Sequence, residues 1–146
     1  MAETRTANSV WEGDLTSGGG RVTAATSGAF SEMAVTQPTR FGGAEGNTSP
    51  EELIAAAHAS CYSMALSAGL TRAGTPPGTL DVSASVTLDF VDGAPTVVSS
   101  ELTVQGSVEG ISEEDFVAAA EAAKDGCPIS RAMVGNVELS VSASLV

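Results

Sequence analysis

The stretch "SPEELIAAAHASCYSMALSAGL" (residues 49–70) decides the reading of this chain. It opens with the signals of a helix start. Ser49 can act as the N-cap. Pro50 suits the first helical position, where its missing N–H would have had no partner anyway. Ser49 with Glu52 has the spacing of a capping box. Glu51 and Glu52 put negative charge at the positive end of the helix dipole. From Glu51 to Leu70 the run is alanine-rich and apolar on nearly every side. It predicts one long helix over 51–70, buried on most of its faces.

Working outward, "AGTPPG" (73–78) ends the helix, and "TLDVSASVTLDF" (79–90) alternates cleanly. Leu80, Val82, Ala84, Val86, Leu88 and Phe90 fall on one face, as in a half-buried strand. "VDGAP" (91–95) is a turn, and "TVVSSELTVQGSV" (96–108) is the partner strand, with Val98, Leu102, Val104 and Val108 inward. The pair reads as an antiparallel hairpin. Ser112 then caps a helix whose first turn holds Glu113, Glu114 and Asp115, with Gly126 placed to end it. "CPISRAM" starts a short helix at Pro128, and "NVELSVSASL" (136–145) is a last alternating strand. Upstream, "SVWEGDL" (9–15), "GRVTAAT" (20–26) and "MAVTQPTRF" (33–41) read as short strands, and "FGGAEGNTS" (41–49) as a loop. The order βββ–α–ββ–α–α–β predicts an α+β fold with helices packed on antiparallel sheet.

At 146 residues the chain is expected to be a single domain, 1–146, able to bury enough surface to fold without a disulfide. Apolar residues make up 42% of it and aromatic residues only 4%. The core must therefore be built from Ala, Val, Leu and Met, which bury little area each, and this favours extra burial in an oligomer. The net charge is −12, with six basic residues. A nucleic-acid reader needs a basic face, and an anionic membrane surface repels such a chain, so neither partner is expected. "MAETRTANSVWEGD" (1–14) lacks the apolar core of a signal peptide, and no run approaches 18 apolar residues. A cytoplasmic location is expected. In a reducing compartment two cysteines are more often free, catalytic or metal-bound than a permanent staple.

The two cysteines are Cys61 in "HASCYS" and Cys127 in "DGCPIS". With one histidine and no C-x-x-C spacing they make a poor zinc set. Two inert buried thiols and a redox couple both remain open. Local physics favours Cys127 as the thiolate, because it precedes a proline at a helix start, where unpaired N–H groups attract negative charge. Cys61 lies mid-helix, where apolar neighbours raise a thiol's pKa, so it needs an imported positive charge to react. His58 is one turn before Cys61. A lone histidine on an apolar helix face is more often a packed, hydrogen-bonded residue than a base.

"TRFGG", "SPEELIAAAHASCYSMALS" and "AAKDGCPISRAM", with "WEGDL" near the start, closely resemble the OsmC/Ohr family of thiol-dependent organic hydroperoxide reductases, its OsmC branch in particular. The resemblance covers nearly the whole chain. It implies an α+β intertwined homodimer, with antiparallel sheets packed on a long central cysteine-bearing helix and no metal or prosthetic group. It also reverses the ranking of the thiols. Cys61 matches the family's peroxide-attacking cysteine and Cys127 its resolving cysteine. The arginine that holds the thiolate falls on Arg40, and the carboxylate that orients it on Glu51. Arg21 is a second candidate for that arginine, since the Ohr branch carries it in an earlier loop. One departure is Ser49, where the family pattern usually has Asn before the proline; serine also caps a helix.

The implied chemistry is reduction of an organic hydroperoxide through a Cys61 sulfenic acid and a Cys61–Cys127 disulfide. The disulfide is then reopened by an external dithiol, typically a lipoylated protein. A redox-sensing or small-ligand-binding dimer without turnover is the alternative on the same scaffold. One geometric point stands beside the resemblance. Ten residues along a straight helix is about 15 Å of rise and about 80° around the axis. Either the helix breaks between Glu51 and Cys61, or Arg40 and Glu51 serve the cysteine of a second subunit.

Overall fold

A computed structural model describes residues 1–42 and 46–146; residues 43–45 of the expected 41–49 loop lie outside the described residues. The chain divides into two compact units, Met1–Leu53 and Ile54–Val146.

In the first unit β1 (Asn8–Glu12), β2 (Gly19–Thr23) and β3 (Met33–Val35) form an antiparallel sheet in that order. After β1, the Asp14 carboxylate accepts hydrogen bonds from the N–H and hydroxyl groups of Ser17 and Thr16, which hold its carboxyl well below the usual range. The strand expected over 33–41 stops at Val35 and is followed by a short helix, α1 (Gln37–Phe41). Thr36 caps it: its hydroxyl accepts from the Thr39 N–H, and the Thr39 hydroxyl accepts from the Thr36 N–H. Pro38 sits in the first turn of α1, a place that tolerates its missing N–H, whereas a strand ladder needs that donor. The Thr39 hydroxyl also reaches the Thr48 carbonyl at 3.0 Å, tying α1 to the segment before the next helix.

That helix, α2 (Pro50–Arg72), begins where the sequence placed it. The Ser49 hydroxyl accepts from the Glu52 N–H at 3.1 Å. The Glu52 carboxylate does not close the box onto Ser49; it accepts from the Thr48 hydroxyl at 2.7 Å. With 23 residues and a mean hydropathy of 1.3 over its most apolar window, α2 is long and apolar enough to cross a membrane by length and composition, which corrects the expectation that no run approaches that limit. A core helix passes the same test, and one stripe of α2 is core: His58, Tyr62, Leu66 and Leu70 recur every four residues and are fully buried. The other faces are less covered than expected. Only 22% of the apolar window is buried, and Met64 is 65% exposed.

The second unit also holds a hairpin of β4 (Thr79–Val91) and β5 (Ala94–Ser107). The two residues between them, Asp92 and Gly93, both have positive φ (51° and 80°), the signature of a two-residue hairpin turn tighter than the expected 91–95. Leu102 and Val104 are buried in β5, and Leu80, Val82 and Ala84 of β4 pack against the same core. Phe90, expected inward, is 58% exposed at the hairpin tip, past a register shift between Thr87 and Leu88.

From β5 the chain runs through α3 (Glu113–Gly126) and α4 (Pro128–Met133) to β6 (Glu138–Leu145). β6 pairs with β5 in parallel, so this sheet, in the order β4-β5-β6, is mixed where antiparallel sheet was expected. The reason is the connection: two helices return the chain so that Glu138 pairs with Ser99 in β5, and only a crossover of that kind brings a parallel neighbour. Phe116 of α3 lies over Gly106 of β5, where a side chain on Gly106 would collide with the ring. The Tyr62 hydroxyl donates to the Ala120 carbonyl at 3.0 Å, pinning α2 to α3.

Candidate active site

Arg40 and Glu51 come together in the first unit. Arg40, in the last turn of α1, donates from Nε to Oε1 of Glu51 at 2.8 Å. Glu51 is 7% exposed, and its second oxygen, Oε2, has no hydrogen-bond partner among the described residues. Such a bond between two full charges, one of them buried, is stronger than a neutral one and fixes the guanidinium plane. Arg21 on β2 is differently placed. It is 54% exposed, 3.5 Å from Glu12 and 3.8 Å from Glu32, a loose surface arrangement.

Cys61 and Cys127 come together in the second unit. Both thiols are free, Cys127 fully buried in the core and Cys61 half-buried against the same core, near enough for each to shift the other's protonation. Burial pushes the Cys61 thiol up; the Ile129 N–H acts against this, while Cys127 adds to it. Burial acts on Cys127 in the same direction. There it is outweighed by the Ser130 N–H, the Cys61 thiol, the Ser130 hydroxyl and the Ile129 N–H, and the Cys127 thiol lies below its ordinary value. The local advantage read for Cys127 at a helix start is thus present. Among the described residues, the groups acting on Cys61 are the Ile129 N–H and the Cys127 thiol, neither of them a cation.

His58 is the packed histidine of the sequence reading. It is fully buried, with Nδ1 2.7 Å from the Ser100 hydroxyl and Nε2 2.8 Å from the Ser130 hydroxyl. Both ring nitrogens are engaged, so neither is left to deprotonate Cys61. Burial lowers its pKa, which keeps the ring neutral. Ser100 and Ser130 were not singled out from the sequence. The available signal was a serine at an inward position of the β5 alternation, and another inside "CPIS".

A groove of about 500 Å³ opens beside Cys61. Its lining includes Met64, Ala65, Ala68, Ala119 and Pro128, with Arg72 its one charged member among the described residues. Among the described residues no three His, Cys, Asp or Glu side chains converge as metal ligands would.

The sequence pattern of the family described as OsmC-like protein matches residues 42–142. The chain belongs to that family. The matched span of this OsmC-like protein contains Glu51, Cys61 and Cys127, while Arg40 lies just before it. The chain is 41% identical over 129 residues to the peroxiredoxin OsmC of Escherichia coli (strain K12), covering 88% of this chain and 89% of that protein. It is 29% identical over 138 residues to the organic hydroperoxide resistance protein-like 2 of Staphylococcus epidermidis, covering 92% and 96%. Among solved structures, the organic hydroperoxide resistance protein OhrB of Bacillus subtilis superposes with a TM-score of 0.76 at 23% identity, covering 95% of this chain and 98% of that one. That likeness shows a shared OsmC/Ohr fold.

Proposed function

We propose that this OsmC-like protein is a homodimeric, cytoplasmic thiol peroxidase that reduces organic hydroperoxides to alcohols, with Cys61 as the attacking and Cys127 as the resolving thiol. The observation that carries the reading is that the two free thiols share one core, with Cys61 on an apolar groove, in a chain of this family. The Cys61 thiolate attacks the terminal oxygen of ROOH. An S–O bond forms, the O–O bond breaks, and the departing alkoxide takes a proton to become the alcohol. Cys61 is then a sulfenic acid. Cys127 attacks its sulfur, the S–S bond forms, and hydroxide leaves with a proton as water. An external dithiol, a lipoylated protein or a small molecule, reopens the disulfide by two exchanges. The cycle uses no metal or prosthetic group. An apolar lining favours alkyl hydroperoxides over hydrogen peroxide.

Arg40 is the cation that Cys61 lacks, held in place by Glu51. In this reading the pair serves Cys61 of the partner subunit. Two observations support that. The helix that carries Glu51 and Cys61 runs unbroken from Pro50 to Arg72, and its apolar surface is largely uncovered within one chain.

Steady-state assay with an alkyl hydroperoxide and dihydrolipoamide tests the proposal. Wild type turns over, Cys61→Ser falls to background, and Cys127→Ser consumes one equivalent per site and stalls. Full activity in Cys61→Ser overturns it, as does a wild-type pair that oxidises once and is not recycled by dithiols, which is the behaviour of a sensor. A solution mass of one 14.5 kDa chain removes the cross-subunit role of Arg40 and Glu51.

A further inference from the structure

Three buried polar side chains, none of them in the cycle above, form a continuous line that ends at the resolving thiol. Ser100 of β5 meets Nδ1 of His58 at 2.7 Å, and Nε2 of His58 meets Ser130 of α4 at 2.8 Å. Ser130 is the third residue after Cys127, which caps α4, so its hydroxyl sits in the helix turn that opens at the Cys127 thiol, where it favours the thiolate. Ser100 and His58 are 0% exposed and Ser130 2%, so water does not supply alternative partners. Buried hydroxyls and imidazoles must satisfy one another, and each hydroxyl has one proton to give.

That count fixes the direction of the line. If the Ser130 proton is directed at the sulfur, Ser130 Oγ faces His58 as an acceptor, and Nε2 carries the ring proton. Nδ1 is then a bare lone pair and accepts from the Ser100 hydroxyl. We propose that Ser100–His58–Ser130 is a positioning device for the resolving thiol, in which His58 donates its Nε2–H to Ser130 Oγ and so commits the Ser130 hydroxyl proton to the Cys127 sulfur. A purely architectural tie between α2, β5 and α4 works with either ring tautomer. Only a line that terminates on a sulfur anion requires this one.

The inference rests on the reading of Cys127 as the resolving thiol. In that step the Cys127 sulfur attacks the Cys61 sulfenic acid, the S–S bond forms, the S–OH bond breaks, and hydroxide leaves with a proton. Ser130 keeps the attacking sulfur charged until the bond forms. Among the described residues, the titratable groups that act on Cys127 are Cys61 and Tyr62 of α2 and, through Ser130, His58. Tyr62 stays a neutral phenol, because burial, Glu121 and Cys127 all push it above its usual range.

His58 is the chain's one histidine, so its ring nitrogens are assignable by 15N NMR without substitution. The expected result is a neutral ring protonated at Nε2, still neutral at pH 6.5, the ordinary histidine value. A ring protonated at Nδ1 overturns the proposal. Two kinetic readouts accompany it. In a Cys61→Ser protein, adding Ser130→Ala moves the pH profile of Cys127 alkylation upward, and Ser130→Thr restores it. With both cysteines present, Ser130→Ala slows disulfide formation after one equivalent of alkyl hydroperoxide by about tenfold, the scale of one lost hydrogen bond to a charged group. Cys61 oxidation stays within about twofold of wild type, as expected for a group outside that step. Wild-type resolution in Ser130→Ala, or slow resolution with an unmoved alkylation profile, overturns the positioning role. If wild-type Cys61 is not oxidised at all, the peroxidase reading fails, while the tautomer and the alkylation profile still decide whether the line acts on Cys127. Should Ser130→Ala fail to fold, the tautomer in the unmodified protein decides.

Discussion

In Ile54–Val146 the buried side chains are Tyr62, Leu66, Leu70, Leu102, Val104, Phe116 and their neighbours; in Met1–Leu53, among the described residues, they are Thr39 and Glu51. The second unit holds its thiols by close packing, and Ser130, Cys61 and Ile129, which tune Cys127, all belong to that unit. The first unit holds its ion pair by hydrogen bonds, through the Thr36–Thr39 box, the Thr39–Thr48 contact and the Ser49 cap. In the proposed cycle the difference separates two tasks. A resolving thiol needs fixed distance to one partner, which a packed core supplies. A cation that must meet an incoming substrate needs direction and access, which a short capped helix with a 37% exposed arginine supplies.

The sharpest way to break this comparison is Arg40→Met. If the first unit acts only on Cys61, hydroperoxide-driven oxidation of Cys61 falls about 100-fold, the cost of one preorganised electrostatic donor. The pH profile of Cys127 alkylation stays where it is. A shift at Cys127 would show that the two tasks are not separate. The next effect is on stability. Gly106→Ala drives a methyl group into the buried Phe116 ring and is expected to cost about 2 kcal/mol by denaturant midpoint. Gly20→Ala in the first unit meets Trp11 at 2.9 Å and Val35 at 3.0 Å. The exposed Trp11 ring can move aside, so this substitution costs less than Gly106→Ala. Equal costs would mean that the first unit is packed as rigidly as the second. The smallest effect is pH-dependent. Burial lowers the folded pKa of His58 below 6.5, so the unfolded chain binds the extra proton first. Its contribution to stability is complete above that pH and is lost as pH falls through it, at no more than about 1.4 kcal/mol per pH unit. The difference between wild type and His58→Asn over pH 5 to 8 should carry that slope and be flat at the upper end.

Much of this was legible because the signals were local. The cap at Ser49, the alternation of β4 and β5 and the charges opening α3 each lie within a few residues of what they specify. The same holds for "MAVTQPTRF", where the helix after Val35 has its own local signals: Thr36 and Thr39 have capping spacing, and Pro38 cannot donate in a ladder. What the sequence could not give is long-range. The parallel pairing of β6 depends on where two helices return the chain. Likewise, the partners of His58 lie 42 and 72 residues away. The thiol ranking illustrates both cases. Local physics pointed to Cys127 as the thiol held below its ordinary value, whereas in the proposed cycle the attacking thiol is set by a charge supplied from Arg40, and only the family resemblance pointed there.

Cys127 is at once the last cap of α3 and the first of α4, so it sits at the joint of two helices. In the proposed cycle the disulfide ties that joint to the middle of α2 and closes a loop of roughly 65 residues, which by chain entropy stabilises the fold by about 4 kcal/mol. The protein would then melt at different temperatures before and after meeting its oxidant. Its heat resistance becomes a running record of how recently it has been reduced.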